Sequence, residues 1–269
     1  MPRYKLKVSY EGTDFHGWQK QEPAGEEPLR TAQGVLEEAV IRVVREPVVL
    51  TGASRTDAGV HAMGQVAAFT TTRDIPAHKL PRAITARCPE DIQVHQAEEV
   101  PTHFDPIAHA VDKEYRYHIQ HGPILPPLFD RRTIWRTHHE LDPGTMQRAA
   151  ESLIGRHDFA AFAQASHGRE TTVRDLHHCD VSVPGENRIC ISVRGSGFLY
   201  HMVRIIAGTL VEIGRGAFPP DSIVRALETG DRRCCGPTLG PQGLVLQWIR
   251  HEIPGSATSL PTPLADESP

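Results

Sequence analysis

Thr51-Gly52-Ala53-Ser54-Arg55-Thr56-Asp57-Ala58-Gly59-Val60-His61-Ala62-Met63-Gly64-Gln65-Val66-Ala67-Ala68-Phe69 decides how this 269-residue chain is read. A strand-like run, Pro47 to Leu50, enters the segment and an apolar run, Val66 to Phe69, leaves it. Strands are therefore predicted at 47–52 and 64–71, joined by a tight loop of small residues. Upstream, Val35, Leu36, Ala39, Val40 and Val43 fall on one helical face, with Thr31 placed as an N-cap. Before that helix, Tyr4, Leu6, Val8 and Tyr10 alternate with Lys5, Lys7 and Ser9, the period-two pattern of a half-buried strand. Downstream, a helix is predicted over 77–87, with Pro81 awkwardly inside it, and a strand over 91–97. The order β-α-β-β-α-β reads as a ferredoxin-like unit.

The rest of the chain repeats the plan. Tyr115, Tyr117 and Ile119 alternate as a strand, and Thr145 to Ile154 reads as a helix after Asp142-Pro143. Val173 to Val183 and Ile189 to Val193 read as paired strands around the turn chemistry of Pro184-Gly185-Glu186-Asn187. Leu199, Val203, Ile206, Leu210 and Ile213 step by three and four, so that helix buries one stripe and leaves Arg204 at its margin. A short helix near 221–228 and a strand at 243–249 complete the set. The fold class is thus α+β: two ferredoxin-like halves with antiparallel sheets and a catalytic cleft between them. The halves are expected at 1–105 and 106–252, followed by a Pro-, Ser- and Thr-rich tail, 253–269, expected to be disordered.

Bulk properties narrow the function. No apolar run approaches the ~20 residues that cross a membrane, and the N-terminus lacks the apolar segment of a signal peptide. Five cysteines, an odd number with Cys234 and Cys235 adjacent and no Cys-x-x-Cys, point to reduced thiols in a cytosol. Among 16 histidines, the pairs His138-His139 and His177-His178 place neighbouring rings too far apart in direction to chelate one ion, so no metal site is expected. The net charge of −4 argues against binding nucleic acid by charge alone. It leaves room for a local basic cleft, for which Arg55, Arg73, Lys79, Arg82, Arg87, Arg131, Arg132 and Arg204 are candidates.

Asp57 is the residue on which chemistry turns. A lone carboxylate on a stiff loop between two strands, two positions after Arg55, is what acid–base or nucleophilic catalysis requires. A plain surface turn accounts for the same residue types.

The motifs in order carry a resemblance. Arg55-Thr56-Asp57-Ala58-Gly59-Val60-His61-Ala62 resembles the signature of the tRNA pseudouridine synthase A family. Tyr10-Glu11-Gly12-Thr13-Asp14-Phe15-His16-Gly17-Trp18-Gln19 is similar to its opening motif, and Arg30-Thr31-Ala32-Gln33-Gly34-Val35-Leu36-Glu37 to its first helix. Lys113-Glu114-Tyr115-Arg116-Tyr117 resembles its central aromatic motif, and His157-Asp158-Phe159 with Phe162 a later one. Gly197-Phe198-Leu199-Tyr200-His201-Met202-Val203-Arg204 resembles its second basic motif, and Gly243-Leu244 with Leu246 its closing strand. The matches span about residues 3–250.

The resemblance implies an isomerase that detaches uracil from its ribose, rotates it and rejoins it through carbon, with no cofactor and no metal. It implies Asp57 as the catalytic carboxylate, Arg204 as the guanidinium that pairs with it, and Tyr115 as the ring set against the uracil. Tyr117 faces the same side as Tyr115 and competes for that role on periodicity alone. Arg55 is implied in filling the stack vacated when the uridine flips out, a step that costs a few kcal/mol. An Asp with the ordinary pKa of about 3.9 is already ionised at neutral pH. Attack on the sugar, attack on the base and removal of a ribose proton all remain open to it. The implied target is positions 38–40 of the tRNA anticodon stem-loop, and the implied assembly a homodimer in the cytoplasm with one tRNA touching both subunits. This sequence departs from the family at Ser54 and Gly240, where glycine and alanine are usual, and at Ile107, where a basic residue is usual. Two other readings differ in class. A non-catalytic RNA-binding module would stack bases on strand aromatics, and a glycoside or nucleoside hydrolase would need a second carboxylate beside Asp57.

Overall fold

In the computed structural model, residues 1–21, 27–164 and 171–254 are described. The expected disorder of the tail falls on residues 255–269, outside them. Among the described residues, ten strands and five α-helices run in the order β1 (Arg3–Tyr10), α1 (Ala32–Val44), β2 (Thr51–Gly52), β3 (His61–Thr70), α2 (Leu80–Thr85), β4 (Ile92–Val100), β5 (Ala110–Gln120), β6 (Trp135–Arg136), α3 (Pro143–Ala150), β7 (Gly155–Asp158), β8 (Val173–Gly185), β9 (Arg188–Gly195), α4 (Met202–Gly214), α5 (Ser222–Thr229) and β10 (Leu244–His251).

The strands of both halves join into one mostly antiparallel sheet, ordered β4-β1-β3-β10-β5-β9-β8-β7, with β2 against β3 and β6 against β5. The last strand in sequence, β10, is the seam: it runs parallel to β3 and antiparallel to β5. Register keeps one face apolar throughout. Tyr4, Leu6 and Val8 of β1 lie opposite Phe69, Ala67 and Gln65 of β3, and Leu246 lies between Ala62 of β3 and Tyr115 of β5. Tyr115 and Tyr117 then face Val193 and Ile191 of β9. These side chains and those of α1 (Leu36, Val40) and α4 (Ile206, Leu210) form one core. The opposite face carries only a small cluster of Ala68, Val100 and Phe104.

Several boundaries differ from the sequence reading, each for a physical reason. Residues 47–50 form no ladder, because α1 satisfies their backbone instead. Gln33 donates to the Leu50 carbonyl at 2.7 Å, and the Leu50 N–H donates to Glu37 at 3.0 Å. The helix predicted over 77–87 is a 3-10 turn, Ala77–Lys79, followed by α2. Pro81 stands at the helix start, where a missing N–H costs nothing. Likewise, the segment 145–154 is α3 from Pro143, capped by Asp142 through Gly144 and Thr145 N–H, and then a 3-10 turn. Pro184 sits in β8 where the β8–β9 register slips, a place where no ladder bond is lost.

α4 is the most enclosed helix: every residue but Arg204 and Glu212 is buried. Among the described residues no helix is long and apolar enough to cross a membrane. The five cysteines form no disulfide, and no three His, Cys, Asp or Glu side chains among the described residues cluster as a metal site.

Candidate active site

The loop from Gly52 to His61 owes its shape to residues outside it. The buried Gln65 amide grips Ser54 twice, accepting from its N–H at 3.2 Å and donating to its carbonyl at 2.7 Å. Thr56 accepts from the Trp18 N–H through its carbonyl, and its hydroxyl is 2.8 Å from that of Tyr10. Asp57 heads a turn closed by Val60 N–H on its carbonyl at 3.1 Å. Gly59 in that turn has φ +77, which suits glycine, and an added Cβ would lie 2.7 Å from Pro241. His61 closes the loop from below, its buried Nδ1 accepting from the Gly12 N–H at 3.0 Å. The opening motif and the Asp57 motif therefore build one scaffold. Arg30 locks that scaffold to β4 with a two-pronged bond to Asp91 at 2.8 and 3.0 Å, stacked 4.1 Å over Phe15.

Asp57 is brought together with Arg204 from the other half of the chain. Arg204 Nη1 lies 3.1 Å from Asp57 Oδ2, and its Nε donates to the Leu239 carbonyl at 2.7 Å. The Leu239 N–H returns a bond to the Arg204 carbonyl, so loop and helix clasp each other. The Asp57 side chain is 17% exposed and that of Arg204 12%. A pair so sheltered is weakly screened, unlike one on an open surface. A third group joins them: His201 Nε2 stands 3.4 Å from the same Oδ2.

Tyr115 lies on the same face of the sheet, its hydroxyl 3.0 Å from Ser54 Oγ and its ring edge-to-face with Phe198 at 5.1 Å. Burial pushes its pKa up to about 12; the Ser54 bond opposes this and the negative charge of Asp57 adds to it. The phenol is therefore a neutral donor at physiological pH. Tyr117 donates to the Gly240 carbonyl at 2.7 Å and is wholly buried, which gives it a packing task. Arg55 is exposed on the loop, and no described residue bonds or pairs with it. Of the other cationic candidates, Arg132 is tied to Glu11 at 3.0 Å and Asp14 at 3.6 Å. Arg87 and Arg131 cap nearby carbonyls.

Gln65, Ser54 and His201 were not singled out as contributors from sequence. A buried glutamine five positions past Val60 carries no motif-level signal of its own. His201 lies three residues before Arg204, but it precedes α4 in a left-handed conformation, so helical periodicity does not place its ring. A cavity of about 550 Å³ lined by Ser9, His61, His118 and Gln247 contains none of Asp57, Tyr115 or Arg204. That hollow is therefore separate from the Asp57–Arg204 pair.

One carboxylate held by a guanidinium contributed from across the sheet, with a protonated phenol nearby, is an arrangement that can support carboxylate-based catalysis. A family profile described as tRNA pseudouridine synthase matches residues 7–107 and 149–252. A tRNA pseudouridine synthase A of Geotalea uraniireducens (strain Rf4) is 44% identical over 246 residues, 91% of this chain and 98% of its own. One of Acetivibrio thermocellus is 41% identical over 247 residues, 91% of this chain and 98% of its own. A chain in a crystal structure of a Cbf5-Nop10-Gar1 complex aligns over 90% of this chain and 48% of its own, at 11% identity and a TM-score of 0.37, too loose a likeness to argue from. The chain belongs to the tRNA pseudouridine synthase family of isomerases.

Proposed function

We propose that this protein converts uridine to pseudouridine in the anticodon stem-loop of tRNA, at positions 38–40, using Asp57 as its one catalytic carboxylate and no cofactor. The observation that carries the reading is the Asp57–Arg204 pair, 3.1 Å long and drawn from two ends of the chain. The reaction breaks the bond from C1′ to N1 and makes one from C1′ to C5. The C5 proton leaves and N1 gains one, so nothing is added or lost overall and no redox partner is needed. Arg204 holds the carboxylate in place through a charge-assisted bond. Tyr115 supplies a flat ring for the uracil and a hydroxyl that donates rather than ionises. Arg55, exposed beside the carboxylate, enters the stack that the flipped nucleotide leaves.

Residues 1–105 and 106–252 act in this reading as two lobes with the site between them. The working form is a homodimer in the cytoplasm, so that one tRNA lies across both copies. Chemistry permits attack on the sugar, attack on the base or removal of a ribose proton, and the same test covers all three. Unmodified tRNA is incubated with wild type and with Asp57→Asn, and carbodiimide-stop mapping then locates any new C-glycoside. Wild type is expected to give stops in the anticodon arm, and Asp57→Asn to lose turnover by roughly 10³-fold or more. Product formed by Asp57→Asn at the wild-type rate overturns the reading, as does a wild-type signal outside that arm.

A further inference from the structure

The two basic side chains nearest Asp57 meet a single oxygen. Arg204 Nη1 is 3.1 Å from Oδ2 and His201 Nε2 is 3.4 Å from the same atom. Among the described residues no hydrogen bond ends on Oδ1. The backbone at His201 has φ 62 and ψ 2, a left-handed conformation uncommon outside glycine. His201 is also the N-cap residue of α4, where a side chain ordinarily satisfies a free backbone N–H. Its ring makes no such bond. Instead it is stacked on Tyr200, ring centroids 3.9 Å apart at 26°, with Nε2 turned to the carboxylate. Left-handed geometry that forgoes a cap and aims a ring at the reacting acid belongs to sites where local strain serves function.

Resting on the function proposed above, we infer that His201 is a positioning residue which, with Arg204, occupies Oδ2 of Asp57 and so leaves Oδ1 as the oxygen that meets the uridine. Two contacts on one oxygen fix the rotation of the carboxylate about its last bond, where one contact fixes only its distance. Tyr200 braces the ring from behind. The charged groups facing His201 are Asp57 from the loop and Arg204 from its own helix. Burial and Arg204 lower its pKa against the pull of Asp57, so the ring is neutral at pH 7 and one cation, not two, bears on the carboxylate. Protonation below neutrality would add the second cation and make Oδ1 a poorer base or nucleophile.

The experiment uses His201→Asn, whose shorter side chain tolerates the left-handed backbone and falls short of Oδ2, and His201→Gly, which is at ease there and leaves space for free imidazole. With unmodified tRNA as substrate, kcat is expected to fall about 10- to 100-fold in both, with KM held within a factor of about two. The acid limb of the wild-type kcat profile is expected to disappear in His201→Asn, and added imidazole to restore part of kcat in His201→Gly. A wild-type kcat in His201→Asn, a loss confined to KM, or a glycine variant that imidazole does not rescue overturns the inference. Failure of wild type itself to make pseudouridine would instead overturn the function on which it rests.

Discussion

Ser54 and Tyr115 show how much a single hydroxyl decides. Their 3.0 Å bond joins the Asp57 loop to the central strand β5. Ser54→Ala removes one neutral hydrogen bond, worth about 1 kcal/mol. It is expected to lower kcat severalfold, in single-turnover assays, with little change in thermal midpoint. The Tyr115 phenol ionises at about 12, because burial and the charge of Asp57 favour the neutral form. A free tyrosine in the unfolded chain ionises at about 10, so the unfolded state loses its proton first and stability falls as pH climbs from about 10 towards 12. Tyr115→Phe is expected to make that fall shallower, read as the denaturant midpoint against pH, with the remainder carried by Tyr10 and Tyr117, whose pKa values burial also raises. At this scale Asp57, Arg55, Tyr115 and Arg204 could be named from their motifs. Gln65 and His201 could not be given tasks, since a glutamine bridging loop backbone and a left-handed histidine exist only once the chain is folded.

At the scale of elements, the clasp between α4 and the segment before β10 positions Arg204. Gly208 allows it: a Cβ there would lie 1.9 Å from the Pro237 carbonyl oxygen, and backbone cannot swing aside as a side chain can. Thr209 adds a bond to the Gly236 N–H at 2.9 Å. Gly208→Ala is expected to cost about 1–3 kcal/mol by overpacking. It is also expected to lower kcat, because moving residues 236–240 moves the carbonyl that holds Arg204 Nε. Equilibrium unfolding together with turnover checks both effects. Periodicity revealed α1, α4, β1 and β5, whose apolar stripes are long. It did not reveal β6 or β7, two and four residues long, or that Pro47 to Leu50 would bond to a helix, because such short pieces are fixed by their neighbours.

The molecule as a whole is held across its middle by β10 and by what that strand's end touches. His251, the final residue of β10, donates from Nε2 to the Pro106 carbonyl at 2.9 Å and packs on Phe104 at 5.3 Å. Burial drives its pKa down to about 4. The unfolded chain, with an ordinary histidine pKa of about 6.5, binds the proton first as pH falls. Stability is therefore present above about 6.5 and is lost progressively towards pH 4. His251→Gln is expected to flatten that slope, seen in thermal midpoints measured between those values.

The position of β10 also bears on how the enzyme comes into being on the ribosome. Every strand flanking it, and both ends of the Asp57–Arg204 pair, are synthesised before residues 244–251 emerge. Until β10 is made, the chain lacks the strand that lies between β3 and β5. A chain ended at residue 243 is therefore expected to form little pseudouridine on unmodified tRNA, because β3 and β5 lose the strand that joins them.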